Sequence, residues 1–474
     1  MKGTELSRRL NGTDAAFLYL ERPEIPLHIA GVCIFESQIP FAEFAASIDS
    51  KLHLLPRYRQ VVVDSPWHLG YPVWEDARRF QIRQHIFQVR VAPPGGKAEL
   101  EDLAGQILGR VMDRSKPLWD IHVVDGLADG RGAVIARVHH SLADGVAGAS
   151  LMKIMLDPTP EVSGAVRKPR YRPKPAGGER PIAESMASAL QSSVESMIAA
   201  ESVVLDFSRS LLEERTREAL QKLIRLAPEF AASSERFVFN KPCSGERKFC
   251  WTEFPFEDVH AIRERLGGTV NDVVLTVLAR AVARYAGEHG DRVDGRFLRV
   301  VCPVNMRRDS GESLGNQITF LPVALPLGIA SPSGTLRAIS ERMEIMKNAR
   351  AAHLVALLAA WLQAAPPPLQ ALFWREVPRI PLPVPLFHMV CTNVPGSREP
   401  LYAVGRKMLA SYPHVPTGYE LGVNVALQSY AGQFYCGFTA DAKVVPDVGR
   451  LRDLLRDAVE ELRRAAGRAK RQAK

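Results

Sequence analysis

Apolar positions along the first third of the chain recur at two spacings, one typical of strands and one typical of helices. Short apolar runs predict a strand at residues 29–35, whereas helical spacing predicts amphipathic helices at 41–51 and 98–112. Two further runs, at 119–124 and 133–138, flank Asp and Gly residues that favour turns, and so predict a hairpin. The pattern indicates a mixed α/β domain.

The second half of the chain shows the same alternation. Apolar periodicity predicts helices at residues 257–266 and 270–286, and extended apolar runs predict further strands. These strands are expected at 297–304, 317–325, 389–392, 419–427 and 433–439, before a closing helix at 447–466. Both halves therefore mix strands with flanking helices, although no sequence repeat relates them.

The region between the halves has a different composition. It opens with a run of Pro and basic residues at 167–175, which is typical of a solvated linker, and continues as a helical pattern without Gly or Pro at 183–226. We therefore predict an N-terminal domain at 1–156, a linker and long helical connection at 157–243, and a C-terminal domain at 244–474.

One stretch of the second half, residues 351–390, is dense in Leu, Phe and Trp and is broken by prolines at 366–368. Such a composition is typical of a buried core. It also fits the wall of an acyl-chain tunnel or a surface that touches a membrane, because long alkyl groups bind to walls without polar atoms.

Composition and charge exclude several classes of protein. With 474 residues, 46% of them hydrophobic and 24% charged, the chain is long enough for about two or three domains and is unlike disordered, collagen-like or disulfide-rich chains. The formal net charge of +9 fits an anionic membrane or a phosphate-bearing cofactor as well as it fits nucleic acid, so charge alone selects no partner.

The cysteines and the N-terminus predict the compartment. The 6 cysteines are far apart and form no CxxC pair, which suggests neither a zinc knuckle nor a disulfide framework. The N-terminus lacks the apolar segment of a signal peptide, and no apolar run is long enough to span a bilayer. We therefore expect a reduced, cytoplasmic protein without a membrane span.

The sharpest local pattern is the segment RVHHSLADG at residues 137–145. Adjacent residues of an extended segment point to opposite sides, so only one of His139 and His140 can face a given cavity. A neutral imidazole is a suitable general base near pH 7, and Asp144 and Gly145 supply a turn. The histidines and the aspartate are alternatively metal ligands or structural residues, although no further ligand stands at a recognisable spacing.

The segment HHSLADG at 139–145 matches HHxxxDG, the active-site motif of the CoA-dependent acyltransferase superfamily. Other segments, in the expected order, resemble one branch of it, the bacterial wax ester synthase/acyl-CoA:diacylglycerol acyltransferase family. They are residues 10–21 (LNGTDAAFLYLE), 26–28 (PLH), 117–119 (PLW), 125–127 (DGL), 271–275 (NDVVL), 303–307 (PVNMR), 315–316 (GN), 393–396 (NVPG) and 429–430 (SY). The resemblance covers nearly the whole chain.

The resemblance implies a fold and a division of roles. The fold would be two chloramphenicol-acetyltransferase-like domains of mixed α/β structure, with mixed sheets flanked by helices and the active site at the domain interface. His140 would be the general base that deprotonates the acceptor hydroxyl. His139 and Asp144, with Gly145 completing the turn, would hold the loop and the imidazole in place.

Two residues of the second half are further candidates. Asn271, at the start of a predicted helix, would donate a hydrogen bond to the oxyanion or support that donor; N-capping of the helix is its alternative role. Arg307 would pair with Asp144 across the domains, or else lie on the surface. An Asp144→Asn variant that kept both fold and activity would remove the case for this pair.

Three segments depart from the family pattern. Cys391 and Thr392 precede NVPG where Ser is more common, and Asn305 stands where PVSxR is usual. Residues 11–13 replace the more usual Ser-Pro before Asp14. None of these changes alters HHxxxDG, so they bear on acceptor preference and not on acyl transfer.

A competing pattern, GESLG at residues 311–315, fits the GxSxG elbow of serine hydrolases, with His388 or His414 downstream as a base. That elbow requires a strand before it and a helix after it. Here a polar turn precedes the pattern and a strand is predicted to follow it, which argues against a hydrolase.

The sequence therefore predicts an O-acyltransferase that moves a long-chain acyl group from acyl-CoA, its co-substrate, to diacylglycerol, a fatty alcohol or both. We expect no acyl-enzyme, no permanently bound cofactor, no catalytic metal and no nucleic acid partner. The alternatives are another acceptor, such as a polyketide-type diol or an amine, and a non-catalytic acyl-CoA or lipid binding protein. Apolar substrates predict peripheral contact with the inner membrane or lipid droplets. The connection at 183–226 is one candidate for this contact; its alternative is packing against the protein's own domains.

Overall fold

A computed structural model of the chain describes most of the two predicted domains. The described residues are 9–65, 68–142, 152, 154–161, 235–305, 318–349, 365–380 and 385–472, together with scattered helical positions between 183 and 224. The predicted connection at 157–243 therefore lies largely outside the described residues, and the domain boundaries stay a prediction.

Eight continuous helices flank the strands in the described part of the chain. They are α1 (Gly12–Leu20), α2 (Phe41–Lys51), α3 (Lys97–Leu108), α4 (Phe256–Leu266), α5 (Val270–Glu288), α6 (Pro332–Asn348), α7 (Pro367–Glu376) and α8 (Val448–Gln472). Capping side chains fix several helix starts: Asn11 accepts a hydrogen bond from the backbone N–H of Asp14 at α1, and Thr269 and Asp272 form a capping box at α5.

The first six-stranded sheet carries the His-His segment. Its strands, in chain order, are β1 (His28–Phe35), β4 (Ile86–Arg90), β5 (Trp119–Asp125), β6 (Gly132–His139), β11 (Tyr402–Ala403) and β12 (Arg406–His414), and their spatial order is β11-β12-β1-β6-β5-β4. Only β4 and β5 pair in parallel; the other neighbours are antiparallel. A separate hairpin joins β2 (Gln60–Val63) and β3 (Val73–Asp76).

The second sheet also has six strands. These are β7 (Arg247–Pro255), β8 (Phe297–Asn305), β9 (Ile318–Pro326), β10 (Met389–Pro395), β13 (Val423–Tyr430) and β14 (Gln433–Asp441), in the spatial order β7-β14-β13-β10-β8-β9. Strand β10 lies parallel to both of its neighbours, whereas the outer pairs are antiparallel. Both sheets are therefore mixed, and the molecule has the mixed α/β class that the sequence predicted.

Two strands of the second half, β11 and β12, lie in the first sheet. Strand β12 pairs there with β1 over a register that runs from Ala30 opposite His414 to Phe35 opposite Met408. Two apolar cores follow the two sheets, and the core of the first sheet includes Met408 and Tyr412 from β12. The first sheet is thus built from both sides of the linker instead of from the N-terminal half alone.

The predicted elements are mostly present, with shifted ends. Helix α2 has the predicted bounds, and strands β5 and β6 form the predicted hairpin. Helix α3 was predicted to reach residue 112 but ends at Leu108, followed by Gly109. The strand predicted from 419 begins only at Val423, because the chain turns at Gly418–Leu421 and Tyr419 has a positive φ of 56°.

The apolar stretch at 351–390 is described only in part. Helix α7 buries Gln370 and Ala371 against the first half of the chain, but Leu369 and Leu372 are 58% and 59% exposed. A uniformly buried core is therefore wrong for this helix. Within the described residues, no single helix is long and apolar enough to cross a membrane; α4 and α5 meet those criteria only together, with a 100° bend between them.

Candidate active site

The backbone of the His-His segment is held by two other sequence segments. His139 ends the fully buried strand β6, and its N–H donates to the carbonyl of Leu118 at 2.9 Å. The N–H of His140 donates to the carbonyl of Leu27 at 2.8 Å. The PLH and PLW segments, far apart in sequence, thus converge on the two histidines.

An ion pair within the first sheet supports the same strand. Arg137, two residues before His139, donates to the carboxylate of Asp120 on β5 through Nε at 2.8 Å and through Nη2. Its Nη1 donates to the carbonyl of Arg110, beyond the end of α3. This bidentate contact fixes β6 against β5 just before the chain leaves the sheet.

The two histidine side chains have opposite surroundings, as expected for neighbours at the end of a strand. His139 is 0% exposed. His140 is partly exposed, and its ring stacks on Phe17 of α1 with centroids 3.9 Å apart and planes 13° apart. Of the two histidines, only His140 is accessible to solvent.

Contacts of the inner histidine determine which ring nitrogen carries its proton. The backbone N–H of Ser141 donates to His139 Nδ1 at 3.1 Å, and Ser141 Oγ lies 2.7 Å from the same nitrogen. A backbone N–H cannot accept a hydrogen bond, so Nδ1 must be unprotonated. In the neutral ring the proton is then on Nε2, which lies 3.2 Å from Glu21 Oε1.

Burial makes the outer histidine a neutral base. It lowers the pKa of His140 to about 4, and the neighbouring His139 lowers it further, while a hydrogen bond to the histidine's own backbone raises it. At neutral pH the imidazole is therefore unprotonated and able to accept a proton.

Asn271 is not the N-cap of its helix, which corrects one of the two roles considered for it. Thr269 occupies the capping position, and Asn271 is exposed within the first turn of α5. Its Oδ1 accepts a hydrogen bond from Nδ2 of Asn393 at 2.7 Å, so its own amide N–H group is the remaining donor of the side chain. Among the described residues, no hydrogen bond or ring contact joins Asn271 to either histidine.

Three candidate residues, Asp144, Gly145 and Arg307, lie outside the described residues, and their roles stay predictions. The GxSxG pattern at 311–315 lies outside them too. The next described element is strand β9 and not the helix that a nucleophile elbow requires. His388 and His414 are 0% and 5% exposed, so neither is an accessible base.

The described side chains offer no evident covalent nucleophile. All 6 cysteines are free thiols, and burial raises the pKa of each of them. Ser141, His139 and Glu21 form a chain of hydroxyl, imidazole and carboxylate, but Ser141 is only 3% exposed and no substrate carbonyl can reach its Oγ. Among the described residues, no group of three His, Cys, Asp or Glu side chains could hold a metal ion.

Sequence reasoning missed two residues that contact the histidines. Phe17 stacks on His140, and Glu21 faces His139. They stand four residues apart, on one face of α1 and its C-cap, since the N–H of Glu21 donates to the carbonyl of Phe17. An aromatic and a carboxylate at helical spacing inside the segment LNGTDAAFLYLE is the signal that could have identified them.

Comparisons with known proteins agree with the family resemblance found in the sequence. Residues 10–274 match the wax ester synthase/diacylglycerol acyltransferase catalytic domain, and residues 314–463 match the WS/DGAT C-terminal domain. A putative diacylglycerol O-acyltransferase of Mycobacterium tuberculosis is 30% identical over 97% of this chain and 91% of its own length. A probable diacylglycerol O-acyltransferase of the same species is 29% identical over 96% of this chain and 95% of its own length.

Solved structures show the same fold. The wax ester synthase/diacylglycerol acyltransferase from Marinobacter aquaeolei VT8 matches with a TM-score of 0.65 and 23% identity, over 97% of this chain and 100% of that one. The first condensation domain of the calcium-dependent antibiotic synthetase matches with a TM-score of 0.59 and 14% identity, over 98% of this chain and 97% of that one. The two-domain fold is therefore shared well beyond recognisable sequence similarity.

Proposed function

The chain belongs to the wax ester synthase/diacylglycerol acyltransferase family and is an acyltransferase, and we propose that it transfers a long-chain fatty acyl group from acyl-CoA to diacylglycerol, a long-chain alcohol or both. The observation that carries the proposal is a partly exposed His140 whose ring stacks on Phe17 and whose lowered pKa keeps it neutral. The names of the relatives support an acylglycerol product, and the family name includes wax esters.

In the proposed reaction, the unprotonated imidazole of His140 takes the proton of the acceptor hydroxyl as its oxygen attacks the thioester carbonyl. The C–O bond forms, and the carbonyl becomes a tetrahedral oxyanion. The C–S bond then breaks, and the leaving CoA thiolate takes the proton back from His140. The acyl group passes to the acceptor and the proton passes to CoA within one ternary complex. The proposed mechanism involves no acyl-enzyme, cofactor or metal.

The developing oxyanion needs a hydrogen-bond donor. We assign this role to Asn271, because its Oδ1 accepts a hydrogen bond from Asn393 and its own amide N–H group is the remaining donor of that side chain. We also propose that Asp144 and Gly145 complete the turn after the histidines and that Arg307 pairs with Asp144, although all three lie outside the described residues. The role of Asp144 is carried over from the family motif, whereas its pairing with Arg307 is a hypothesis of our own.

The proposal is tested by measuring release of the CoA thiol from palmitoyl-CoA by the purified protein, with 1,2-dipalmitoylglycerol or hexadecanol as the acceptor. We expect release that depends on the acceptor, and the ratio of the two rates identifies the product class. Release without any acceptor would indicate a thioesterase. Release only with a diol or an amine would indicate another acceptor, and no release with any of them would indicate a binding protein.

The pH dependence of kcat/KM should show the depressed pKa of His140. Because only the neutral imidazole can accept a proton, we expect a flat profile from about pH 8 to pH 6 and a fall that becomes steep near the pKa of about 4. The measurement is acceptor-dependent CoA release between pH 4 and 8, with circular dichroism at each pH as the control for folding. A fall centred near the ordinary histidine pKa of about 6.5 would contradict the assignment.

We also propose that the protein acts in the cytoplasm while attached peripherally to the inner membrane or to lipid droplets. Helical positions in the connection support this, because Met186, Leu190, Val194 and Ile198 recur every four residues and are each more than half exposed. The basic run at 167–174 precedes them in sequence, and the two features together suit an anionic lipid surface.

A pair of single substitutions tests this attachment. Leu190→Glu places a charge on the apolar stripe and removes a leucine, whereas Gln191→Glu places the same charge at a neighbouring position that is already polar, so that no apolar side chain is lost. We expect Leu190→Glu to weaken flotation with phosphatidylglycerol vesicles about tenfold or more, since a leucine side chain loses its transfer into the lipid. Gln191→Glu should bind nearly as the parent does; equal effects of both changes would contradict an apolar contact.

A further inference from the structure

Helix α1 contacts both histidines through one face. Phe17 covers the ring of His140, and Glu21 follows one helical turn later and faces His139. The Glu21 side chain is only 3% exposed, so its carboxylate is not a surface charge. Burial of a charged carboxylate raises the free energy of the folded protein unless the group is paired. The partners of Glu21 therefore indicate its role.

Each oxygen of this carboxylate has its own partners. Oε1 lies 3.2 Å from Nε2 of His139 and accepts a hydrogen bond from the N–H of Leu27 at 3.1 Å. Oε2 accepts hydrogen bonds from Arg114, whose side chain is 43% exposed and also donates to the carbonyl of Leu18. Burial alone would raise the pKa of Glu21, but the contacts with His139, Leu27 and Arg114 lower it, so the group is ionised at neutral pH.

These contacts connect Glu21 to His140 by two routes. Through the side chain of His139, the carboxylate favours the ring with its proton on Nε2, the same tautomer that the Ser141 N–H requires at Nδ1. Through the backbone, it holds Leu27, whose carbonyl accepts the N–H of His140. Both routes end at the residue assigned as the general base.

We propose that Glu21 is a positioning residue, whose carboxylate fixes the tautomer of His139 and the backbone of Leu27 and thereby orients His140 for proton transfer. It touches neither substrate. Its effect on turnover rests on the proposed acyl transfer, whereas its effect on His139 can be observed without turnover. A base held slightly out of place loses much of its rate advantage.

The first test is kinetic. Glu21→Gln keeps the size of the side chain and removes its charge, and we expect kcat for acceptor-dependent CoA release to fall by up to about 100-fold, with a much smaller change in KM. Glu420→Gln is the matched control, because it makes the same change in a partly exposed carboxylate that pairs with Arg236 and contacts neither histidine in the described part of the chain. It should leave kcat nearly unchanged; a loss as large as that of Glu21→Gln would overturn the proposed route.

A double-mutant cycle separates positioning from general destabilisation. If Glu21 acts largely through His139, Glu21→Gln should cost much less in a His139→Asn background than in the parent protein. Equal costs in the two backgrounds would mean that the residues act independently, which contradicts the route through His139.

The last test needs neither a variant nor turnover. Nitrogen NMR of the ¹⁵N-histidine-labelled protein should show His139 with its Nδ1 unprotonated and a proton on Nε2, assigned by the loss of its signals in His139→Asn. A proton on Nδ1 would overturn the proposal even if the Glu21 variants fail to fold. If the tautomer is as expected but the parent protein releases no CoA, the proposed acyl transfer is contradicted. The positioning of His139 by Glu21 would still stand in that case.

Discussion

Replacing His140 by alanine should lower kcat for acceptor-dependent CoA release by about 10²- to 10⁴-fold, the contribution of a well-placed general base. The variant removes the imidazole that rests on Phe17 but leaves the backbone hydrogen bond from residue 140 to Leu27 intact. We therefore expect the fold to persist and KM for palmitoyl-CoA to change little. Steady-state kinetics with a saturating acceptor measure both constants.

The control for this variant is His53→Ala. His53 is half-buried on a short turn after α2, and its Nδ1 contacts only the carbonyl of Ser50, three residues earlier. It should keep the parent kcat. A His140→Ala protein that is folded by circular dichroism and retains most of its activity would refute general-base catalysis by this residue.

Arg247→Met should lower the free energy of unfolding by about 3–5 kcal/mol, because it leaves a buried carboxylate without its cation. Arg247 Nη1 lies 2.9 Å from Asp441 Oδ2, and the two side chains are 2% and 0% exposed. Its Nη2 also donates to the carbonyls of Glu24 and Thr417. One guanidinium thus joins the start of β7, the end of β14 and a loop of the first half.

Urea unfolding followed by tryptophan fluorescence measures this loss. The control is Arg450→Met, which breaks a pair with Glu288 whose side chains are 47% and 40% exposed. Surface pairs of this kind contribute little, so the control should unfold almost as the parent protein does. If the two variants were equally stable, the buried pair would not hold the halves together.

The sequence predicted those elements of the fold that depend on residues close together in the chain. Helix α2 and the β5–β6 hairpin follow from the spacing of apolar residues and from turn residues within one stretch of chain. The pairing of β12 with β1 could not be predicted, because it joins residues nearly 400 positions apart. The pattern of apolar residues within a strand does not indicate which distant strand will pair with it. The turn before β13 was missed because Tyr419 adopts a positive φ without being glycine.

The sequence also predicted the active site only in part. The HHxxxDG pattern identified both histidines, and the alternation of a strand end predicted that only one of them would be accessible. The partners of His139 were not predictable from the motif, because Glu21 reaches it across more than 100 residues from a helix that we did not predict. For Asn271, the capping role that the sequence left open is wrong, because Thr269 is the N-cap and forms the capping box with Asp272.

The place of β12 in the first sheet has a consequence for synthesis on the ribosome. Strand β1 lies between β6 and β12, so one of its edges stays unpaired until the chain has been made beyond His414. Most of the polypeptide must therefore emerge before the first sheet is complete, and a nascent chain that stops earlier exposes an apolar edge prone to aggregation. We expect chaperones to be needed longer for this protein than for one whose domains fold in sequence.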